Sequence, residues 1–296
     1  PDGDPDVLYR NNGDGTFTPI LDETVPHTPF SSMGADAGDI NNDGRFDLLI
    51  ADMATTTREK DRRGLAASRN DVLRTATTPH TAPQYMRNAL LVNSGSGHFA
   101  EAACWAGVAA TDWTWAPRLE DFDNDGWIDL HVTNGMVREA NNTDLLADMM
   151  RALSDPQRIG VIKKAPPLNE ANLAYRNRNG EGFEPVTNEW GLGEVGVSFG
   201  SATADFDGDG DLDLVYLNYD DGLSVYRNDT QGRGLQVRLT GTKSNRDAAG
   251  AVVRIETGTG IQARDFTVAR GYASGSELVA HFGLGDEATV RRLIVE

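Results

Sequence analysis

Three short segments of this chain concentrate oxygen donors at one spacing. They read Asp39-Ile40-Asn41-Asn42-Asp43-Gly44-Arg45-Phe46-Asp47, Asp121-Phe122-Asp123-Asn124-Asp125-Gly126-Trp127-Ile128-Asp129 and Asp205-Phe206-Asp207-Gly208-Asp209-Gly210-Asp211-Leu212-Asp213. Oxygen side chains stand at positions 1, 3, 5 and 9, with Gly at 6. Calcium is a hard cation that takes six to eight oxygens, and alternate residues of a tight turn point theirs inward. Gly permits the reversal, and the backbone carbonyl of position 7 faces the ion. The expected metal ligands are therefore Asp39, Asn41, Asp43, Arg45 and Asp47; Asp121, Asp123, Asp125, Trp127 and Asp129; and Asp205, Asp207, Asp209, Asp211 and Asp213, for about three calcium ions. Magnesium wants a stricter octahedron and keeps more of its water, which makes it the weaker candidate.

The same pattern opens an EF-hand, which also needs a bidentate Glu at position 12 and helices on both sides. Position 12 holds Ile50, Val132 and Tyr216, and the flanks are strand-like, so an EF-hand is excluded. The bland alternative is a set of solvated turns, since Asp, Asn and Gly favour turns anyway. Carboxylates crowded into nine residues repel one another unless a cation is present, which favours a site. The case is weakest in the first loop, where Asn41 replaces one charge.

What must position these loops is a repeat. Asp6-Val7-Leu8-Tyr9-Arg10-Asn11, Asn88-Ala89-Leu90-Leu91-Val92-Asn93 and Asn172-Leu173-Ala174-Tyr175-Arg176-Asn177 align without gaps. Each leads through a Gly-rich turn to Phe17, Phe99 or Phe183, and each Phe stands 22 residues before the first Asp of a loop. The units run about 6–52, 88–134 and 172–218, separated by inserts at 53–87 and 135–171. Each unit reads as four strands: a hairpin, a third strand containing Met33, Trp115 or Phe199, and a fourth leaving the loop as Leu48-Leu49-Ile50, Leu130-His131-Val132 or Leu214-Val215-Tyr216. Four short antiparallel strands per repeat predict an all-β chain with β-propeller blades, about three of them visible. In the second insert, Thr143 to Leu153 places apolar residues at helical spacing behind an Asn142 or Thr143 cap. Its Met149-Met150 pair is expected to pack onto the propeller rim.

After about residue 230 the acidic loops stop and alternation takes over, in Leu235–Thr240, Val253–Ile255 and Phe266–Val268. A small, separate β-sandwich-like domain is expected over 231–296, with 1–230 as the propeller region and Asp229-Thr230-Gln231-Gly232 as the linker.

The formal charge of −18 disfavours nucleic acid and anionic membranes as partners and favours cations. Cys104 is the lone cysteine, which rules out an intramolecular disulfide. No apolar run reaches the roughly 18–20 residues of a membrane span. No leader is visible, and the chain opens on Pro1-Asp2-Gly3-Asp4 as though within a domain. The acidic stretch Asp2-Gly3-Asp4-Pro5-Asp6 is not expected to be a site, because Asp6 aligns with Asn88 and Asn172 at a strand start.

The acidic loops resemble the FG-GAP/VCBS repeats of integrin-like and bacterial surface propellers, where such a loop binds calcium. Gly241–Ala251, Arg270-Gly271-Tyr272 and His281-Phe282-Gly283-Leu284-Gly285 resemble the ASPIC/UnbV domain. Both together look like the cartilage acidic protein family and its bacterial relatives. The resemblance implies a fragment of a longer protein, since three units are fewer than the four to eight blades of a closed propeller. It also implies a calcium-binding, extracytoplasmic recognition or adhesion protein with a protein or glycan ligand, and no enzyme.

Catalytic readings are weaker. Gly196-Val197-Ser198-Phe199-Gly200 matches the nucleophile elbow, but that motif needs a strand-turn-helix, and Ser198 aligns with Ser32 and Thr114. His27, His80, His98, His131 and His281 are scattered without zinc spacing. Arg246 and Asp247 suit a ligand contact less well than an ion pair or a turn cap. The rival function is a polysaccharide-active enzyme with paired carboxylates in the inserts or on the propeller face. Its mark would be a concave pocket holding carboxylates not engaged by calcium.

Overall fold

The segments on either side of each acidic turn must pair across it, as in any tight hairpin. Ala35–Gly38 pairs antiparallel with Asp47–Ile50, Thr114–Glu120 with Asp129–Asn134, and Ser198–Ala204 with Asp213–Asn218. A computed structural model describes residues 6–64, 82–152, 154–258, 260–287 and 289–296, apart from the side chains of Leu146 and Ala147. The opening strand of the following repeat then adds to the outside of each pair. Ala89–Asn93 joins Asp47–Ile50, and Leu173–Asn177 joins Asp129–Asn134. Phe99–Glu101 and Phe183–Pro185 complete these two sheets at four strands each.

Each blade thus takes its inner strands from one repeat and its outer strands from the next. This corrects the reading of each unit as one blade: sequence unit and sheet are out of step by half a unit. The inserts lie between the second and third strands of the first two sheets, but the third sheet has the same order with only a short turn at 219–221, so the offset belongs to the repeat itself. The third sheet has three strands, Ser198–Ala204, Asp213–Asn218 and Gly222–Tyr226. Its outer strand leads into a further copy of the repeat start, Tyr226-Arg227-Asn228, which matches Tyr175-Arg176-Asn177. That copy escaped the sequence reading because Gly234 stands where the sixth residue after Asn should be Phe.

Apolar side chains weld the sheets. Ile40, Leu90, Val108, Leu119, Ile128, Leu130, Tyr175 and Phe183 form one buried cluster, and Phe122, Ala174, Leu192, Leu214 and Tyr216 another. Each large side chain so buried contributes about 1.5–3 kcal/mol.

The inserts carry helices. Thr143–Arg151 forms as expected, with Asn142 Oδ1 accepting the Asp144 N–H at 2.9 Å; Leu153 lies outside the described residues. This helix packs chiefly on two other helices, Arg58–Gly64 and Asp155–Lys164, and Met150 is 84% exposed, so the expected docking on the rim gives way to a helical cluster. Pro156 in the first turn and Lys163 and Lys164 in the last were the available signals for the Asp155–Lys164 helix, which the reading passed over. No helix among the described residues is long and apolar enough to cross a membrane.

At the C-terminal end, Arg233–Val237 pairs with Ala280–Gly285, and Val252–Glu256 pairs with both Ile261–Asp265 and Arg292–Val295. Val253, Ile255, Phe266, Ala280 and Phe282 are buried together in this sandwich-like pair of sheets. The sheets do not stand off from the propeller. Gly271 exchanges backbone hydrogen bonds with Ala35, and Arg270 pairs with Asp36 and Glu120 on the innermost strands. Tyr272 lies against Trp115 and Phe199, with ring centroids 4.8 and 6.3 Å away.

Candidate metal centre

The three loops share one internal hydrogen-bond pattern. The position-9 carboxylates Asp47, Asp129 and Asp213 accept the backbone N–H of position 2 (Ile40, Phe122 and Phe206) at 3.1, 3.0 and 2.7 Å. Their second oxygens accept the N–H of Asn93, Asn177 and Asn228 at 2.7–2.8 Å. The position-1 carboxylates Asp39, Asp121 and Asp205 accept the N–H of Gly44, Gly126 and Gly210 at 3.0, 2.9 and 3.0 Å. Positions 4 and 6 are left-handed in every loop, with φ of 54° and 81°, 59° and 95°, and 80° and 100°. Asn, Asn and Gly at position 4 are the residues that tolerate this region, a signal the sequence reading did not use.

The second loop is the most deeply placed. Asp121, Asp123 and Asp129 each bring a carboxylate oxygen within 4.8 Å of the other two. Asp121 and Asp129 are buried, and Asp121 Oδ1 has no hydrogen-bond partner. Burial pushes Asp121 up to about 8, against the pull of Arg264 and with a further push from Asp125 and Asp123. Asp129 is raised well above its ordinary value, first by burial and then by Asp121. Carboxylates in that state have too little positive charge around them to offset burial, even with Arg264 near Asp121. An orphaned buried oxygen, an all-oxygen donor set and mutual repulsion fit a hard divalent cation.

The other loops differ in instructive ways. In the third, Asp205, Asp207 and Asp209 also converge within 4.8 Å, nearer the surface. Although burial works the other way, hydrogen bonds from Gly208, Gln236, Gly210 and Asp209 hold Asp205 below its ordinary value. In the first, Asn41 Nδ2 donates to Asp43 at 3.0 Å, and Arg45 forms an ion pair with Asp43. An arginine there supplies part of the compensation that a cation would. Asn41 Oδ1 is nonetheless buried without a partner.

Position 4 also ties loop to loop. Asn42 Nδ2 donates to the Gly126 carbonyl at 2.9 Å, and Asn124 Nδ2 to Asp211 at 2.7 Å. The C-terminal sheets then reach all three. Arg254 points at the Gly44 carbonyl, from 3.3 Å. Gly283 N–H donates to Asp121 Oδ2 at 3.0 Å, and Gln236 to Asp205 Oδ2 at 2.7 Å. His281 Nε2 lies 3.1 Å from the Gly210 carbonyl. Gly283 is required by the closeness of approach, since a Cβ there would stand 2.1 Å from Asp121 Oδ2.

Comparison with known families bears on this arrangement. A model described as FG-GAP-like repeat matches residues 2–50 and 165–216, and one described as ASPIC and UnbV matches 241–296. The chain carries FG-GAP-like repeats and an ASPIC/UnbV domain. It is 27% identical to cartilage acidic protein 1 of Xenopus tropicalis, over 96% of this chain and 37% of that protein. The human and Mus musculus proteins of the same name are 25% and 26% identical, over 96% of this chain and 36% and 37% of their own lengths. The chain thus spans little more than a third of the relatives it matches.

Within the FG-GAP-like region the other sequence candidates find structural settings. Ser198 is buried, accepts from Asn172 Nδ2 at 3.0 Å and donates to Asn218 Oδ1 at 2.7 Å. Thr114 likewise donates to Asn134 Oδ1 at 2.8 Å, so Ser198 occupies a repeated strand position. Asp6 accepts from Ser32 at 2.8 Å, while Asp2 and Asp4 lie outside the described residues, as does His80. In the ASPIC/UnbV domain the 241–250 turn is capped by Asn245, whose Oδ1 accepts the Ala249 N–H at 2.7 Å. Arg246 and Asp247 are both exposed there.

A cavity of about 440 Å³ opens between the inserts, lined by Lys60, Arg63, Trp113, Glu139 and Glu170 among others. Two of its three acids are engaged: Glu170 pairs with Lys60, which also pairs with Asp112, and Glu139 pairs with Arg63; Glu59 lines it as well.

Proposed function

We propose that this chain is a calcium-stabilised recognition or adhesion module that works outside the cytoplasm. Each acidic loop holds one ion. The ligands are the side chains at positions 1, 3, 5 and 9 with the carbonyls of Arg45, Trp127 and Asp211. The repeats over about 1–230 form the propeller region, and 231–296 forms a second domain seated on the loop face. The observation that carries the reading is the second loop: three carboxylates within 4.8 Å, two of them buried, one with an oxygen left unpartnered. Mass action gives about 2.7 kcal/mol of stability per site at free calcium a hundredfold above the dissociation constant. A thermal melt in chelator and in millimolar calcium tests this, with a higher midpoint expected in calcium.

The extracytoplasmic setting follows from the weak affinity expected of such loops, roughly 10⁻⁴–10⁻³ M in extracellular modules. The relatives' name, cartilage acidic protein 1, associates them with cartilage, which supports an extracytoplasmic setting. The glycosidase alternative gains little from the insert cavity, because Glu139 and Glu170 are held in ion pairs rather than poised as an acid and a base.

A further inference from the structure

The third blade ends on an open edge. Among the described residues Gly222–Tyr226 pairs only with Asp213–Asn218, and Leu223 and Val225 on it are 65% and 64% exposed. The two preceding blades carry a fourth strand there, Phe99–Glu101 and Phe183–Pro185. In the second blade Phe183 is 5% exposed and joins a cluster with Ile40, Val108, Ile128, Leu130 and Tyr175. The repeat alignment carries those five onto Phe122, Leu192, Leu212, Leu214 and Tyr226. These same five, with Trp190, line an open cavity of about 310 Å³. The cavity is the Phe socket of a blade whose own chain leaves before filling it: after Asn228, Thr230 bonds to the Asp123 carbonyl and the chain enters the C-terminal sheets.

We propose that this edge captures an extended peptide of a partner protein as a fourth strand, with an aromatic residue in the socket and an acidic residue next to it. The acidic preference comes from Arg227. In the second blade Arg176 lies opposite Glu184 on the fourth strand and approaches it at 3.5 Å. Arg227 is its repeat equivalent, lines the cavity, and pairs with Asp229 in a solvent-exposed contact. An incoming Phe-Glu strand in the same register sets its Phe opposite Asn228 and its Glu opposite Arg227. Strand addition supplies affinity through main-chain hydrogen bonds, and the socket and the charge supply selectivity. This deepens the recognition reading and rests on it for the existence of a partner, but it needs no metal.

The probe is a labelled peptide with the sequence of residues 178–187, which contains Gly182-Phe183-Glu184-Pro185. Titrated against the full chain in calcium, it should bind saturably and slow amide exchange across residues 224–228. Phe→Ala in the peptide should weaken binding about tenfold or more. Arg227→Glu, a change at an exposed side chain, should weaken the native peptide, and a Glu→Arg peptide should recover on that variant. Absence of saturable binding at millimolar peptide overturns the proposal, as does binding indifferent to the Phe or failure of the charge swap. Self-association of the chain that the peptide displaces would also overturn it, in favour of a second copy. None of these failures touches the calcium-dependent melt, which tests the metal reading separately.

Discussion

Asp121 and Asp129 are the buried, charge-frustrated carboxylates of the second loop, and single substitutions around them separate metal binding from packing. Asp125→Ala removes a carboxylate from an exposed position of the second loop, so it should leave the melt in chelator nearly unchanged and diminish the rise produced by calcium. Ser198→Ala strands the buried Asn172 and Asn218 partners at a cost of about 1–3 kcal/mol, equal with and without calcium. Melting both variants in both buffers checks the contrast. A calcium-independent loss in Asp125→Ala would show that this loop is stabilised by its hydrogen bonds alone. Gly283→Ala drives a Cβ against Asp121 Oδ2 and the Asn124 backbone and should cost about 1–3 kcal/mol in urea unfolding. Gly196→Ala is the control, because a Cβ there meets nothing within 4 Å.

Among the elements, the strand ending in Asn does more than the sequence announces. Asn177 is buried and donates to the carbonyls of Ile40 and Ile128 at 2.8 Å each, joining the acidic turns of two blades. Asn228 repeats this with Phe122 at 2.6 Å and Leu212 at 3.2 Å. Asn93 has a single long contact of this kind, to Phe46 at 3.4 Å. Asn177→Ala should therefore destabilise by roughly 1–3 kcal/mol, and Asn93→Ala by under about 1 kcal/mol, in denaturant titrations. The aligned Asn residues were legible as a repeat, and so were the loops, because spacing along one chain fixes both. In the third sheet the corresponding pairing is a local hairpin, but in the first two blade phase was not legible: pairing such as that of Asp47–Ile50 with Ala89–Asn93 crosses a long insert, and no local propensity encodes it. The same holds for Gln236, Arg254, His281 and Gly283, which reach the loops from 23 or more residues beyond Asp213 and carry no metal-ligand spacing.

At the scale of the molecule, the C-terminal sheets sit on all three acidic loops, so loop order and domain docking are linked. A cation that quiets repulsion around Asp121 also firms the acceptor for Gly283 N–H. Removing calcium should accordingly speed amide exchange in Ala280–Gly285 as well as in the loops, measured by mass spectrometry in chelator and in calcium. Unchanged exchange in that strand, beside faster exchange in the loops, would mean that docking is independent of metal. The fourfold position of the Tyr-Arg-Asn-type strand and the crossing of the chain to the ASPIC/UnbV domain belong to this scale too, and both depend on long-range pairing. The central claim, that the acidic loops are calcium sites, is tested most directly by calorimetric titration of the metal-stripped chain. About three weak sites are predicted, with dissociation constants on the order of 10⁻⁴–10⁻³ M, and Asp121→Ala should abolish one of them. No binding heat at millimolar calcium would contradict the account of the loops, and sub-micromolar affinity at all three would contradict the extracytoplasmic placement.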